Sequence, residues 1–279
     1  MDENTLQKFL IDGRICIITG GAGFLGSRFA QAILDAKGIP VLFDVDEEKL
    51  KSLVTSFKEK YKVEVMGLKV DIANKDELEK AKELILKQYN RIDVLINCAS
   101  HNPNPTIQGK EKDISSRFEN FSETEWDEAL NVGLKGAFLC SQVFGSYMAS
   151  QNKGVILNIA SDLGIIAPDQ RIYKKEGVPE FEQPVKPVTY SVEKHAFIGL
   201  TKYLATYWAK NGVRVNAIAP GGVYRDHNEE FLQKLSNLIP MGRMADQNEY
   251  NAAVLFLVSD ASSYMTGATL VIEGGRSAW

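Results

Sequence analysis

The chain lacks most of the marks of specialised protein classes. Its three cysteines, Cys16, Cys98 and Cys140, stand singly inside apolar runs, so neither a disulfide framework nor paired zinc spacing can be built from them and no metal site is expected. They read as reduced core residues, since free cysteine is commonly buried. No apolar stretch is long enough to span a bilayer, and no membrane partner is expected. Lysine and arginine are scattered and the formal net charge is -4, so the basic stripe of a nucleic-acid binder is missing. The opening stretch MDENTLQKFLIDGRICIITG begins acidic and reaches an apolar run only late, the reverse of a signal peptide, so a cytoplasmic location is expected. Linkers, low-complexity tracts and internal repeats are also missing, and one domain over residues 1–279 is the simplest organisation.

What is present is ordinary globular usage, 44% hydrophobic and 24% charged over 279 residues, enough to bury a substantial core. Short β-branched runs at 14–19, 40–44, 63–70, 92–97, 154–160, 213–218 and 268–272 alternate with helical periodicity at 25–37, 47–60, 75–89, 123–150, 189–211 and 247–259. This pattern predicts an α/β fold: a Rossmann-type doubly wound parallel sheet of about seven strands with helices on both faces. Two stretches break the rhythm. Residues 101–121 and 164–188 are rich in proline and charge and read as loops, long enough to be functional.

The first strand runs into Thr19-Gly20-Gly21-Ala22-Gly23-Phe24-Leu25-Gly26, and a helix pattern follows at once. Glycines there let the backbone approach a pyrophosphate, and the helix N-terminus offers free N–H groups and a positive dipole end. The second strand ends at Asp44, whose carboxylate can accept from both hydroxyls of an adenosine ribose. Asp46 and Glu47 follow, and no Arg or Lys lies in the turn, so NAD is favoured over NADP. Asp44 could instead cap the next helix, a task open to Asp46 as well. Asp71-Ile72 and Asn97-Cys98-Ala99 lie at carboxyl ends of strands, the face where such sheets bind ligands, although Asp71 could equally be a helix cap.

Tyr190 and Lys194 lie one helical turn apart on one face. With ten tyrosines, about one such pair arises by chance. The company raises its weight: Ser161 follows an apolar strand, Asn131 lies in a helix just before Gly133, and 216–222 follows the sixth strand. A tyrosine acting near neutrality needs its pKa of about 10 lowered by roughly 3 units, about 4 kcal/mol. A neighbouring ammonium supplies this by stabilising the phenolate. Ser161 and Asn131 could otherwise be a turn hydroxyl and a packing amide.

The segments TGGAGFLG, NCAS, NVGLKGAF, NIASDLG, YSVEKHAFIGLTKYLA, VRVNAIAPGGV and SDASSYMTGATLVIEGG together resemble the short-chain dehydrogenase/reductase family over nearly the whole chain, in family order. The resemblance implies Tyr190 as general acid/base, Lys194 as the group that lowers its pKa and holds the nicotinamide ribose, Ser161 on the substrate oxygen, and Asn131 anchoring a water in a proton relay. It makes Asn97 and Ala99 cofactor-side backbone positions and Pro220, Gly221 and Val223 the turn shaping the nicotinamide pocket. Gly20, Gly23, Phe24, Leu25, Asp44, Asp71 and Ile72 complete the expected cofactor contacts. The glycine spacing is atypical for the classical branch, and the 161–190 interval is enlarged. A classical-like subgroup shares that spacing, and IIAPDQRIY and the ending SAW look similar to its flagellin-modification oxidoreductases.

The expected function is an NAD(H)-dependent oxidoreductase interconverting an alcohol and a ketone on a polar small-molecule substrate, sugar-derived molecules included. Alternatives are a gluconate-type dehydrogenase, a 3-oxoacyl reductase, or a non-catalytic dinucleotide sensor. Within 164–188, Asp169, Gln170, Arg171, Tyr173, Lys174 and Lys175 suit hydroxyls and an anionic group, or a solvated loop. The resemblance also implies a symmetric homotetramer, with Tyr264, Met265 and Trp279 serving an interface or the core.

Overall fold

The computed structural model describes residues 4–100 and 116–279. The 101–115 part of the first expected loop lies outside the described residues. Seven strands form one parallel sheet in the order β3-β2-β1-β4-β5-β6-β7: β1 (Ile15–Thr19), β2 (Ile39–Asp44), β3 (Met66–Lys69), β4 (Val94–Asn97), β5 (Gly154–Ile159), β6 (Val213–Pro220) and β7 (Thr269–Ile272). The order reverses beside β1, where β1 pairs with both β2 and β4, and a crevice opens there at the carboxyl ends of the strands.

Strand alternation assigns the core. Ile15 and Ile17 join one apolar cluster with Leu78, Ile85, Phe144 and Trp208. Cys16 and Ile18 join the other with Phe29, Ile33, Leu50 and Leu257. Both faces of β1 are therefore sealed, as a central parallel strand requires. The first face is covered by α3 (Lys75–Tyr89), by a rod running through α4 (Glu123–Leu130), α5 (Gly136–Cys140) and α6 (Ser146–Ser150), and by α7 (Val188–Trp208). The second is covered by α1 (Phe24–Asp35), α2 (Glu47–Tyr61) and α9 (Asn251–Val258).

Local chemistry sets the helix starts. Asp46 caps α2 by accepting from Lys49 N–H, and Asn74 caps α3 by accepting from Asp76 and Glu77 N–H. Asp44 and Asp71 are thereby left for other work. The rod expected at 123–150 is continuous but widens into π turns at Asn131–Lys135 and Ser141–Gly145.

Three elements differ most from expectation. Strand β3 starts at Met66 rather than 63, because its register with β2 begins at Val41↔Met66. Helix α9 starts at Asn251 rather than 247. Helix α8 (Glu229–Ser236), capped by Asn228, was not expected, and its Leu235 packs with Ile172, Ile239 and Met244 in a small cluster of its own. The 164–188 loop contains 3-10 turns at Gln170–Tyr173 and Glu180–Glu182. Among the described residues no helix is long and apolar enough to cross a membrane.

Candidate active site

One cleft of about 610 Å³ lies along the carboxyl ends of the strands, from Gly20 and Asp44 at one end to Ser161 and Tyr190. The glycine turn shapes the first end. Gly20 has φ +62°, where an L side chain is strained, and a Cβ there would lie 2.9 Å from Ala99 Cα. Gly26 lets α1 begin against the Gly20 carbonyl, which a Cβ would overlap. Thr19 Oγ1 accepts from Cys98 and Ala99 N–H at 3.0 and 3.1 Å, tying the turn to the end of β4.

Asp44 Oδ2 accepts from Ala22 N–H at 3.0 Å and Oδ1 from Asp46 N–H at 3.1 Å. The carboxylate thus braces the glycine turn while facing the cleft. A cradle closed to any Cβ, beside a helix N-terminus and a carboxylate at the end of β2, suits a dinucleotide.

Gly20, Gly23, Phe24, Leu25, Asp44, Asp71, Ile72, Ala99, Pro220, Gly221 and Val223 all line the cleft, as expected from the sequence. Asn97 does not. Its Nδ2 donates to Asn158 Oδ1 at 2.8 Å and Ser141 Oγ at 3.2 Å, inside the sheet and the rod. Two cations without a sequence signal flank the turn: the guanidiniums of Arg28 and Arg225 lie 3.8 and 4.1 Å from the Phe24 ring centre.

At the other end, Ser161 follows β5 and Tyr190 is the third residue of α7. Tyr190 and Ser161 line the same end of the cleft. Ser161 Oγ donates to Asp162 Oδ1 at 2.8 Å and accepts from Leu163 N–H at 3.2 Å. Lys194, buried behind the cleft wall, donates to the Ile159 carbonyl at 3.1 Å, and its Nζ lies 5.6 Å from the Tyr190 ring centre.

The electrostatics differ from the expectation of a lowered tyrosine pKa. Burial raises Tyr190 above its ordinary value, Asp162 and Glu193 push the same way, and Lys194 with Ser161 opposes without prevailing. Burial pushes Lys194 down, but Glu193 and Tyr190 outweigh it and its pKa is raised.

Asn131 is not brought to this group. Its side chain is exposed and its Oδ1 accepts from Lys135 Nζ at 2.8 Å, on a surface hollow shared with Asp127 and Phe138. The rod turns Val132 to the cleft and Gly133 to the interior instead. The π turn that begins at Asn131 shifts the register by which a regular helix would present that residue.

Three polar groups of the site carried no local signal. Asp162 is ion-paired with Arg276 at 2.7 Å, a contact spanning 114 positions. Lys186 Nζ lies 3.9 Å from the Tyr190 ring centre, and burial lowers its pKa to about 8. Glu193 is sealed inside against Lys194. From the 164–188 loop, Ile172, Tyr173 and Lys186 face the cleft. Arg171 pairs instead with Asp169 and Lys174 with Glu180, both outside it.

A doubly wound sheet with such a turn and a cleft tyrosine backed by a buried lysine defines a dinucleotide-dependent oxidoreductase fold. A family model described as short chain dehydrogenase matches residues 14–174, and one described as enoyl-(acyl carrier protein) reductase matches residues 180–277. The NAD-dependent glycerol dehydrogenase of Listeria innocua is 30% identical over 274 residues, covering 96% of each chain. The post-translational flagellin modification protein A of Campylobacter coli is 30% identical over 266 residues, covering 95% of this chain and 99% of that one. A gluconate 5-dehydrogenase structure from Burkholderia cenocepacia, in complex with NADP and tartrate, superposes with a TM-score of 0.83 at 25% identity, covering 99% of this chain and 100% of that one.

The chain belongs to the short-chain dehydrogenase/reductase family. It is an oxidoreductase of the alcohol/ketone type that uses a nicotinamide dinucleotide.

Proposed function

We propose that the chain is a cytoplasmic, NAD(H)-preferring dehydrogenase and ketoreductase for polar, polyhydroxylated small molecules, a single catalytic domain over residues 1–279 assembled as a homotetramer. The observation that carries the reading is the meeting of Tyr190 and Ser161 in the same cleft as the Gly20 turn, with Lys194 buried behind the cleft wall at Tyr190. The loop at 164–188 supplies part of the substrate wall through Ile172, Tyr173 and Lys186.

In the reductive direction Ser161 holds the substrate oxygen and the Tyr190 hydroxyl gives it a proton; in oxidation Tyr190 takes the proton back. Lys194 stabilises the phenolate left behind. The chemistry that a nicotinamide dinucleotide supplies when bound is hydride exchange with the carbon bearing that oxygen. The residues that would hold it are Gly20, Gly23, Phe24 and Leu25 at the pyrophosphate, Asp44 at the adenosine ribose, Asp71, Ile72 and Ala99 along the crevice, Lys194 at the other ribose, and Pro220, Gly221 and Val223 around the ring.

Asp44, followed by Asp46 and Glu47, places negative charge where a 2′-phosphate would fall, which supports NAD. Lys186 and the hydroxyl of Tyr173 in the cleft wall support a polyhydroxylated substrate, including one with an acidic group. The glycerol and gluconate dehydrogenases among its relatives act on such molecules by name. A cytoplasmic site agrees with three free cysteines, two of them buried.

The test is NADH absorbance with glycerol, gluconate, tartrate and an acyl ketone, in wild type and Tyr190→Phe. Tyr190→Phe should bind NADH as wild type does and lose at least about 100-fold in turnover. Retention of more than about a tenth of the rate removes Tyr190 from the acid/base role.

A further inference from the structure

Glu193 stands beside Lys194 on the interior side of α7 and is 1% exposed. Its Oε1 accepts from Ser100 Oγ at 2.8 Å and meets Lys194 Nζ at 2.9 Å. Its Oε2 is buried without a partner among the described residues. The side chain fits only because the rod is bare at Gly133, where a Cβ would overlap Oε2. A buried, half-satisfied carboxylate is costly, and packing alone would favour an apolar side chain in that space.

The donor inventory of Lys194 gives the carboxylate a task. An ammonium has three N–H donors. One goes to the Ile159 carbonyl and one to Glu193, so a single donor remains for the cofactor side and the head group is fixed. Asn131, expected to anchor a water in a proton relay, points to the surface instead.

We infer that Glu193 is a positioning residue of the reaction: its buried carboxylate clamps the Lys194 ammonium and offsets its charge beside Tyr190. The inference rests on the assignment of Tyr190 and Lys194 made above.

Every group facing the tyrosine enters the consequence. Lys194 and Glu193 face it from α7, Ser161 and Asp162 from the end of β5, and Lys186 and Tyr173 from the loop before α7. Arg276 is taken up by Asp162. The Cys98 thiol near Lys194 is raised to about 12 by burial and stays neutral. With Lys194 offset, the tyrosine keeps its proton near neutral pH. The site is then set as a proton donor for ketone reduction, and alcohol oxidation gains as pH rises.

The experiment titrates the phenolate absorbance of the full-length protein, each form read against its own Tyr190→Phe counterpart so that one tyrosine is isolated. Glu193→Gln keeps the size and the Ser100 contact but removes the charge. The Tyr190 midpoint should fall by about one pH unit, and the acid limb of kcat/KM for oxidation should move down with it. Gly133→Ala displaces the carboxylate without deleting it and should shift the midpoint the same way, which keeps the test available if Glu193→Gln does not fold. Glu193→Asp should restore part of the shift. Midpoints that stay at the wild-type value in Glu193→Gln and Gly133→Ala overturn the inference. A wild-type turnover in Tyr190→Phe overturns the assignment of the acid instead, while the titration still reports on Glu193.

Discussion

The Asp162 carboxylate joins Arg276, near the end of the chain, to the hydroxyl of Ser161: it pairs with the guanidinium at 2.7 Å and accepts from Ser161 Oγ at 2.8 Å. Both charged side chains are almost sealed from solvent. The C-terminal segment thereby fixes the residue proposed to hold the substrate oxygen.

Arg276→Met should leave Asp162 buried without its counter-charge, a change that costs about 3–5 kcal/mol in comparable buried pairs. Denaturant unfolding at pH 7 measures it. Adding Asp162→Asn to Arg276→Met should recover a large part of the loss, since no buried charge then remains. A cost below about 1 kcal/mol for Arg276→Met would mean that Asp162 finds another partner.

Asp44 braces the glycine turn through Ala22 N–H and faces the cleft at once. Asp44→Ala should weaken NADH binding by losing both functions, and should weaken NADPH binding less because the repulsion of its extra phosphate goes too. The ratio of the two dissociation constants, read by cofactor fluorescence, should narrow by about tenfold, equivalent to about 1.4 kcal/mol. Equal affinities in the unmodified protein would contradict the proposed preference.

Sequence patterns set by neighbours along the chain were legible, and patterns set by distant contacts were not. The five inner strands announced themselves as apolar runs with helices between, because a strand buried on both faces must be apolar throughout, whereas the edge strands β3 and β7 are only half-buried. The glycine turn is a local pattern between a strand and a helix, and Tyr190 and Lys194 are a local pair one helical turn apart, but the roles expected of them and of Ser161 rest on the family resemblance. Asn131 was misplaced because the π turn Asn131–Lys135 rotates the rod and leaves Gly133 inside. Asp162, Lys186 and Glu193 looked like ordinary charges in the sequence. Their partners are Arg276, Tyr190 and the bare patch at Gly133, and only the folded sheet brings these together.

Side chains left outside the core support the proposed homotetramer. Tyr264 and Trp279 are exposed, as are Tyr203 and Tyr207 on α7 and Phe138 on α5, whereas Met265 packs against the core. Aromatic side chains in water at several places suit symmetric interfaces. Light scattering at micromolar concentration should give four times the 31.0 kDa chain mass. Tyr203→Glu combined with Tyr207→Glu should reduce it. A monomer in the wild type sinks the proposal.

Lys186 makes the substrate reading pH-dependent. Burial lowers its pKa to about 8, so the ammonium is charged below that pH and neutral above it. It sits in the cleft wall over the Tyr190 ring, where a positive charge attracts a substrate carboxylate or phosphate. For gluconate, KM should therefore rise by about tenfold as pH goes from about 7 to about 9, the scale of one charge-assisted hydrogen bond. For glycerol, which has no charge, KM should stay flat over the same range. Lys186→Met should raise KM for gluconate at about pH 7 and abolish the difference between the two substrates. The exposed charges of the loop give the control. Arg171 and Lys174 are paired with Asp169 and Glu180 outside the cleft, so Arg171→Ala and Lys174→Ala should leave both KM values within about twofold. A gluconate KM that is flat with pH in the wild type, or that rises as much in Arg171→Ala as in Lys186→Met, would place the acidic group of the substrate elsewhere.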